Sequence, residues 1–123
     1  MSKAYIPDRE DIVWLDFDPT KGKEIGKYRP ALILSYKAYN KATGLVICSP
    51  VSTSIRGGNL EVQVTNLDKD SVVVSGIVQT MSWRDRKAKF ITKAEPHLID
   101  AVFSRFLPLI GADKYVTRKQ LRP

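Results

Sequence analysis

Apolar and polar positions alternate along much of this chain. In DIVWLDFD (11–18), Val13, Leu15 and Phe17 fall on one face and Ile12, Trp14, Asp16 and Asp18 on the other, which is the period of two of a β-strand. ALILS (31–35) and LVICSP (45–50) are short unbroken apolar runs, read as buried strands. Between them YKAYNKATG has turn composition, with a tight connection expected at 40–44. LEVQV (60–64) sets Leu60, Val62 and Val64 against Glu61 and Gln63, a half-exposed strand. SVVVSGIVQTMSW (71–83) is rich in β-branched residues and broken by Gly76, a position for a bulge or bend. AKFIT (88–92) reads as a last short strand. The period then changes: Ile99, Val102, Phe103, Phe106 and Ile110 follow helical spacing. Pro96 suits the first helical position, Gly111 suits the end, and Pro108 should distort the last turn.

Many short strands followed by one amphipathic helix predict a mainly β fold, a small barrel or sandwich with the C-terminal helix packed on it. The 123 residues suit one domain, placed at 1–111 with a polar, basic tail at 112–123 expected to be loosely ordered. So short a chain has trouble hiding every apolar strand and helix face, so a homodimer is expected. No apolar run reaches the roughly 20 residues of a membrane helix, and no apolar segment follows the start. Those features, with a single cysteine, Cys48, predict a cytoplasmic protein without a membrane partner. Cys48 itself reads as a small buried hydrophobe.

Charge changes the picture. The net charge of +7 suggests an acidic partner, with nucleic acid first among candidates. An acidic protein would fit the same charge. Carboxylates gather early, at Asp8, Glu10, Asp11, Asp16 and Asp18. Basic residues cluster at Lys21, Lys23, Lys27 and Arg29, at Arg84, Arg86, Lys87 and Lys89, and at Lys114, Arg118, Lys119 and Arg122. Any one cluster reads as a solvated face, whereas three on so small a surface suggest a shared groove.

Absent chemistry narrows the mechanism. The lone histidine, His97, excludes a two-histidine acid–base ribonuclease. No Cys/His pair has metal-ligand spacing. Asp16 and Asp18 share a strand face, but Asp-Pro-Thr reads as a strand end running into a turn rather than as a Mg²⁺ site. There is no P-loop, dinucleotide fingerprint or nucleophile elbow. No metal or cofactor is expected. Arginine, lysine, carboxylate and hydroxyl remain, and that set suffices to cleave RNA, because the substrate supplies its own 2′-hydroxyl nucleophile. The protein has to position the phosphate, stabilise developing charge and manage two protons.

At this point the sequence resembles the MazF/PemK-type toxins. Their N-terminal signature, GDI/V-x-W-V-D-F-D-P-T-K-G-x-E followed by R-P-A-x-x-L-S, stands here as EDIVWLDFDPTKGKEIGKYRPALILS (10–35). CSPVSTSIRGGNLEV (48–62) resembles the family's P-[VC]-T-[ST] turn and F-E-V strand, MSWRDR (81–86) its W-R-A-R segment, and LPLIG (107–111) its usual ending. The resemblance implies an SH3-like barrel forming a homodimer and a ribosome-independent endoribonuclease that cuts single-stranded mRNA at short sequences. It implies 2′,3′-cyclic phosphate and 5′-hydroxyl ends made without metal, and a partner antitoxin of the acidic-tailed MazE type that blocks the RNA groove.

Residue by residue, the resemblance assigns Arg29 as the catalytic arginine and puts Ser52 where the family usually has threonine, with Thr53 as neighbouring hydroxyl. Glu24 matches the glutamate of the E-Q loop pair, but Ile25 replaces the glutamine. Gly76 and Ile77 stand where some members carry Asp-Gln. Expected RNA contacts are Lys21, Lys23, Lys27, Tyr28, Thr53 and Arg56, with Arg84 and Arg86 on one strand face lining the same groove. Tyr28 is the stacking candidate, while Trp14 and Trp83 read as core or dimer aromatics. TKGKEIGKYRP (20–30) then reads as a mobile loop that lids the RNA site and delivers Arg29, and that the antitoxin displaces. Two other readings share the fold: a non-catalytic toxin of the gyrase-binding type, which has no need of Arg29 and Ser52, and a catalytically weakened RNA-binding homologue.

Overall fold

The computed structural model describes residues 4–116. Seven strands form one antiparallel, strongly curled sheet: β1 (Asp11–Asp16), β2 (Tyr28–Ile33), β3 (Leu45–Ser52), β4 (Glu61–Val64), β5 (Ser71–Val74), β6 (Gln79–Ser82) and β7 (Lys89–Lys93). Their order is β4-β5-β3-β2-β1-β7, with β6 also on β3. The eight-residue β3 carries the curl. Its first half pairs with β6, from Leu45 opposite Ser82 to Cys48 opposite Gln79, and its end with β5, at Val51–Val73 and Ser52–Val72. Its other edge pairs with β2. Helix α2 (Leu98–Leu109) follows the last strand, as its apolar spacing predicts.

The alternation in β1 divides the core. Val13, Leu15 and Phe17 pack with Ala31, Ile33, Val46, Cys48, Met81 and Trp83 on one side of the sheet. On the other, Ile12, Leu32, Val51, Val62, Val64 and Val73 pack against Leu98, Ile99 and Val102 of α2. Cys48 is fully buried, and burial pushes its thiol pKa up to about 12, so it is the inert hydrophobe the sequence predicts. Among the described residues no helix is long and apolar enough to cross a membrane.

Three boundaries differ from expectation. Residues 71–83 are two strands, β5 and β6, separated at Gly76. The turn expected within 36–44 is a helix, α1 (Lys37–Thr43), ended by Gly44 in the left-handed region at φ 73°. Alanine and lysine at Lys37, Ala38, Lys41 and Ala42 favour helix. Asn40, fully buried, anchors it: its amide donates to the Pro7 and Ser35 carbonyls and accepts from the Ser35 hydroxyl, and its own carbonyl accepts the Trp83 indole N–H at 2.8 Å. The helix α2 starts at Leu98, two residues after Pro96, and runs through Pro108. Of the tail, Ala112–Tyr115 form a 3₁₀ turn, and 117–123 lie outside the described residues.

Candidate functional site

Arg29 and Ser52 lie on the neighbouring strands β2 and β3. Ala31 of β2 faces Pro50 of β3, and the antiparallel ladder keeps the sum of partner numbers constant. The ladder ends at that pair; Arg29, two residues before Ala31, pairs with Leu15 of β1, and Ser52, two residues after Pro50, pairs with Val72 of β5, both still inside their strands. The pleat sets them on the face of Ala31 and Cys48, at one end of the sheet. Arg29 is half-buried, and its Nε–H donates to the Gly26 carbonyl at 2.6 Å. Burial lowers its pKa and the Asp18 carboxylate opposes that shift. Ser52 is buried, and its hydroxyl accepts the Ser54 N–H at 3.0 Å.

The β1–β2 loop that roots Arg29 is cross-tied rather than free. Phe17 N–H donates to the Lys27 carbonyl, and Lys27 N–H to the Asp18 carboxylate, both at 2.9 Å. Lys21 N–H donates to the Glu24 carboxylate at 2.7 Å. Gly26 is packed so closely on Asp18 that a Cβ there would lie 2.4 Å from its carboxylate oxygen. Lys27 sits in the left-handed region at φ 73°.

Arg84 and Arg86 are not on a strand. Residues 83–87 form a turn after β6, so their spacing does not place them on one face. Arg84 is exposed and lies over the Trp83 ring at 5.0 Å. Arg86 turns inward, and its Nη1 donates to the carbonyls of Asp16 at 3.0 Å and Asp18 at 2.7 Å. It clamps the root of the β1–β2 loop with a charged donor. Neighbouring residues of a strand or turn only predict a shared face if the strand continues, and β6 stops at Ser82.

Two concavities flank this sheet end. A shallow one of about 340 Å³ is lined by Phe17, Pro19, Thr20, Glu24, Gln79, Thr80, Met81 and Arg86. Glu24 lines it, but Arg29 and Ser52 do not. A larger cleft of about 590 Å³ takes Arg29 together with Trp14, Lys27, Tyr28, Thr53, Asn66, Asp68 and Lys69. There Trp14 and Tyr28 stack at 5.5 Å with an 18° interplanar angle, and the Tyr28 hydroxyl donates to the Lys87 carbonyl at 3.1 Å. Trp83 is core, as expected, but Trp14 is a cleft wall. Lys21 and Lys23 are exposed on the loop away from the cleft, and the Arg56 backbone N–H donates to the Glu61 carboxylate. At Gly76, where some members of the family carry a carboxylate, a Cβ would lie 2.9 Å from the tip of the Leu60 side chain. Asn66, Asp68 and Lys69 were not predicted, because TNLDKD (65–70) shows only turn composition.

A curled antiparallel half-barrel with a cleft lined by Lys27, Arg29, Lys69 and the Trp14–Tyr28 stack is a small β-barrel protein with a cationic and aromatic surface. The chain belongs to the PemK-like, MazF-like toxins of type II toxin–antitoxin systems, whose description matches residues 8–110. It is similar to the endoribonuclease toxin MazF of Escherichia coli K12, with 36% identity over 111 residues, covering 90% of this chain and all of that protein. The fold is that of MazF from Deinococcus radiodurans, with a TM-score of 0.84 and 36% identity over 88% of this chain and 99% of that one. A MazE–MazF structure from the same organism superposes with a TM-score of 0.78 at 36% identity, over 88% and 98% of the two chains.

Proposed function

We propose that this chain is the toxin of a toxin–antitoxin pair and an endoribonuclease that cuts single-stranded mRNA at short sequences, independently of ribosome, metal and cofactor. The 2′-oxygen bonds to the adjacent phosphorus, the bond from phosphorus to the 5′-oxygen breaks, and the ends are a 2′,3′-cyclic phosphate and a 5′-hydroxyl. Arg29 holds the phosphate and stabilises charge developing on it through its planar fork. Ser52 donates its hydroxyl hydrogen to a phosphoryl oxygen. Glu24 takes the 2′-hydroxyl proton, and a proton returns to the departing 5′-oxygen. Lys27, Tyr28 and Thr53 extend the contact into the larger cleft, and Lys21, Lys23, Arg56 and Arg84 supply sequence-independent attraction to the phosphate backbone. The protein works as a homodimer in the cytoplasm, and an acidic MazE-like antitoxin covers the groove.

What supports this reading is Arg29 and Ser52 on the neighbouring strands β2 and β3, with Arg29 in the cationic and aromatic cleft, in a chain of this family. A protein-binding toxin of the same fold has no use for that pair. The test is purified protein with long single-stranded RNA in excess chelator, and Arg29→Ala in parallel. Recurrent cuts at one short sequence, reduced at least about 100-fold in a folded Arg29→Ala, are expected, the scale of losing one transition-state donor. Intact RNA with folded wild-type protein would refute it.

A further inference from the structure

The larger cleft contains one group that a phosphate binder does not want. Lys27, Arg29 and Lys69 give it positive charge, yet Asp68 lines the same space. Among the described residues Asp68 makes no ion pair and no side-chain hydrogen bond. A carboxylate facing a polyanion costs energy unless a donor meets it. Asn66 beside it donates one amide N–H to the Lys93 carbonyl at 2.8 Å, which orients the amide and leaves its oxygen without a partner among the described residues. The segment is held rigidly for this. Thr65 N–H donates to the Glu95 carboxylate at 3.2 Å, the Thr65 hydroxyl donates to the same carboxylate, and the Ser71 hydroxyl donates to the Lys69 carbonyl at 2.8 Å. Opposite stands the Trp14–Tyr28 stack, with both rings partly exposed.

An aromatic wall and an edge with the unpaired acceptors of Asp68 and Asn66 are the two halves of a base pocket. Unpaired bases stack on aromatic rings and are read by hydrogen bonds to their Watson–Crick edges. Uracil offers that edge one N–H between two carbonyl oxygens, which two acceptors repel. Bases with an exocyclic amino group offer a donor there. Arg29 lines the same cleft as Tyr28 and Thr53, so the pocket adjoins the proposed phosphate holder. We propose that Asp68 and Asn66 read an RNA base bearing an amino group on its Watson–Crick edge, next to the cut, and reject uracil.

This rests on the ribonuclease reading, and the test separates the two. Wild type, Asp68→Asn and Asp68→Ala are each given a pool of single-stranded RNA with a randomised window, and cut sites are sequenced. Wild type should show one position in the cut motif at which uracil is disfavoured by about ten-fold or more, the scale of one base-edge contact. Asp68→Asn, whose amide can donate to a uracil carbonyl, should lose about ten-fold of that discrimination at that position alone. Equal profiles in wild type and Asp68→Asn, with only the overall rate changed, would overturn the proposal and leave Asp68 a charge. If wild type cuts nothing, the ribonuclease reading fails and binding decides: tighter binding of oligo(C) than oligo(U), levelled by Asp68→Asn, supports the pocket, and equal affinities overturn it.

Discussion

At the scale of single residues, position along the pleat determines what each side chain can do. Arg29 and Ser52 share a face because both lie an even number of residues from core positions of their strands, Ala31 and Cys48. That parity was readable once the strands were placed, and the resemblance supplied the pairing. Trp14 was not readable as a cleft wall, since its exposure depends on where α2 stops. Glu61 gives a prediction at this scale. Its carboxylate accepts the backbone N–H groups of Arg56, at 3.0 Å, and Gly57, at 2.7 Å, and these bonds hold its pKa below the ordinary 4.5, against a small opposing effect of burial. A depressed carboxylate stabilises the fold above its unfolded pKa, and that stabilisation is lost as pH falls through the folded value. Melting temperatures should therefore drop below pH 4.5, and Glu61→Gln should show a shallower drop over that range. An unchanged slope in Glu61→Gln would show that other carboxylates carry the acid sensitivity.

At the scale of elements, β-strands with strict alternation were legible and connections were not. Residues 83–87 look like a strand continuation, because Trp83, Arg84 and Arg86 alternate in size and charge. The chain turns there because the Arg86 N–H donates to the Ser82 carbonyl and the Ala88 N–H to the Trp83 carbonyl. The helix at Lys37–Thr43 was hidden for another reason: its anchor, Asn40, is a turn former in isolation, and only the tertiary partners Pro7 and Trp83 make it a helix residue. The clamp from Arg86 to the β1–β2 loop should be visible in dynamics. Arg86→Ala should cost about 2 kcal/mol, for bonds from a charged donor. It should speed hydrogen exchange of the Phe17 and Lys27 amides and lower RNA cleavage, with Arg86→Lys recovering part of both. Unaltered exchange at those two amides would show that the loop holds itself.

At the scale of the molecule, the curl of one sheet explains why a 123-residue chain has both a core and a working edge. Two faces are filled, one by α2 and one by the closing strands. At one end of the sheet two concavities stay open, the larger lined by Arg29 with Trp14, Tyr28 and Asp68, the shallower by Glu24. On the proposed reading, the charge of +7 adds a long-range, sequence-independent attraction to a polyanion. The fold class and the family were legible from alternation and motif together. The base-facing part of the cleft was not, because the loop that builds it has no pattern beyond its turn residues.

The central claim is that the substrate's own 2′-hydroxyl is the nucleophile and that the protein only positions it and manages charge. A short single-stranded RNA containing the cut sequence, with one 2′-deoxy sugar immediately upstream of the scissile phosphate, tests this most directly under single-turnover conditions. The prediction is that the substituted strand binds as the all-ribose strand does but is not cut. Cleavage of both strands at the same rate would mean that water or a protein group attacks the phosphorus, and would contradict the roles assigned to Arg29, Ser52 and Glu24.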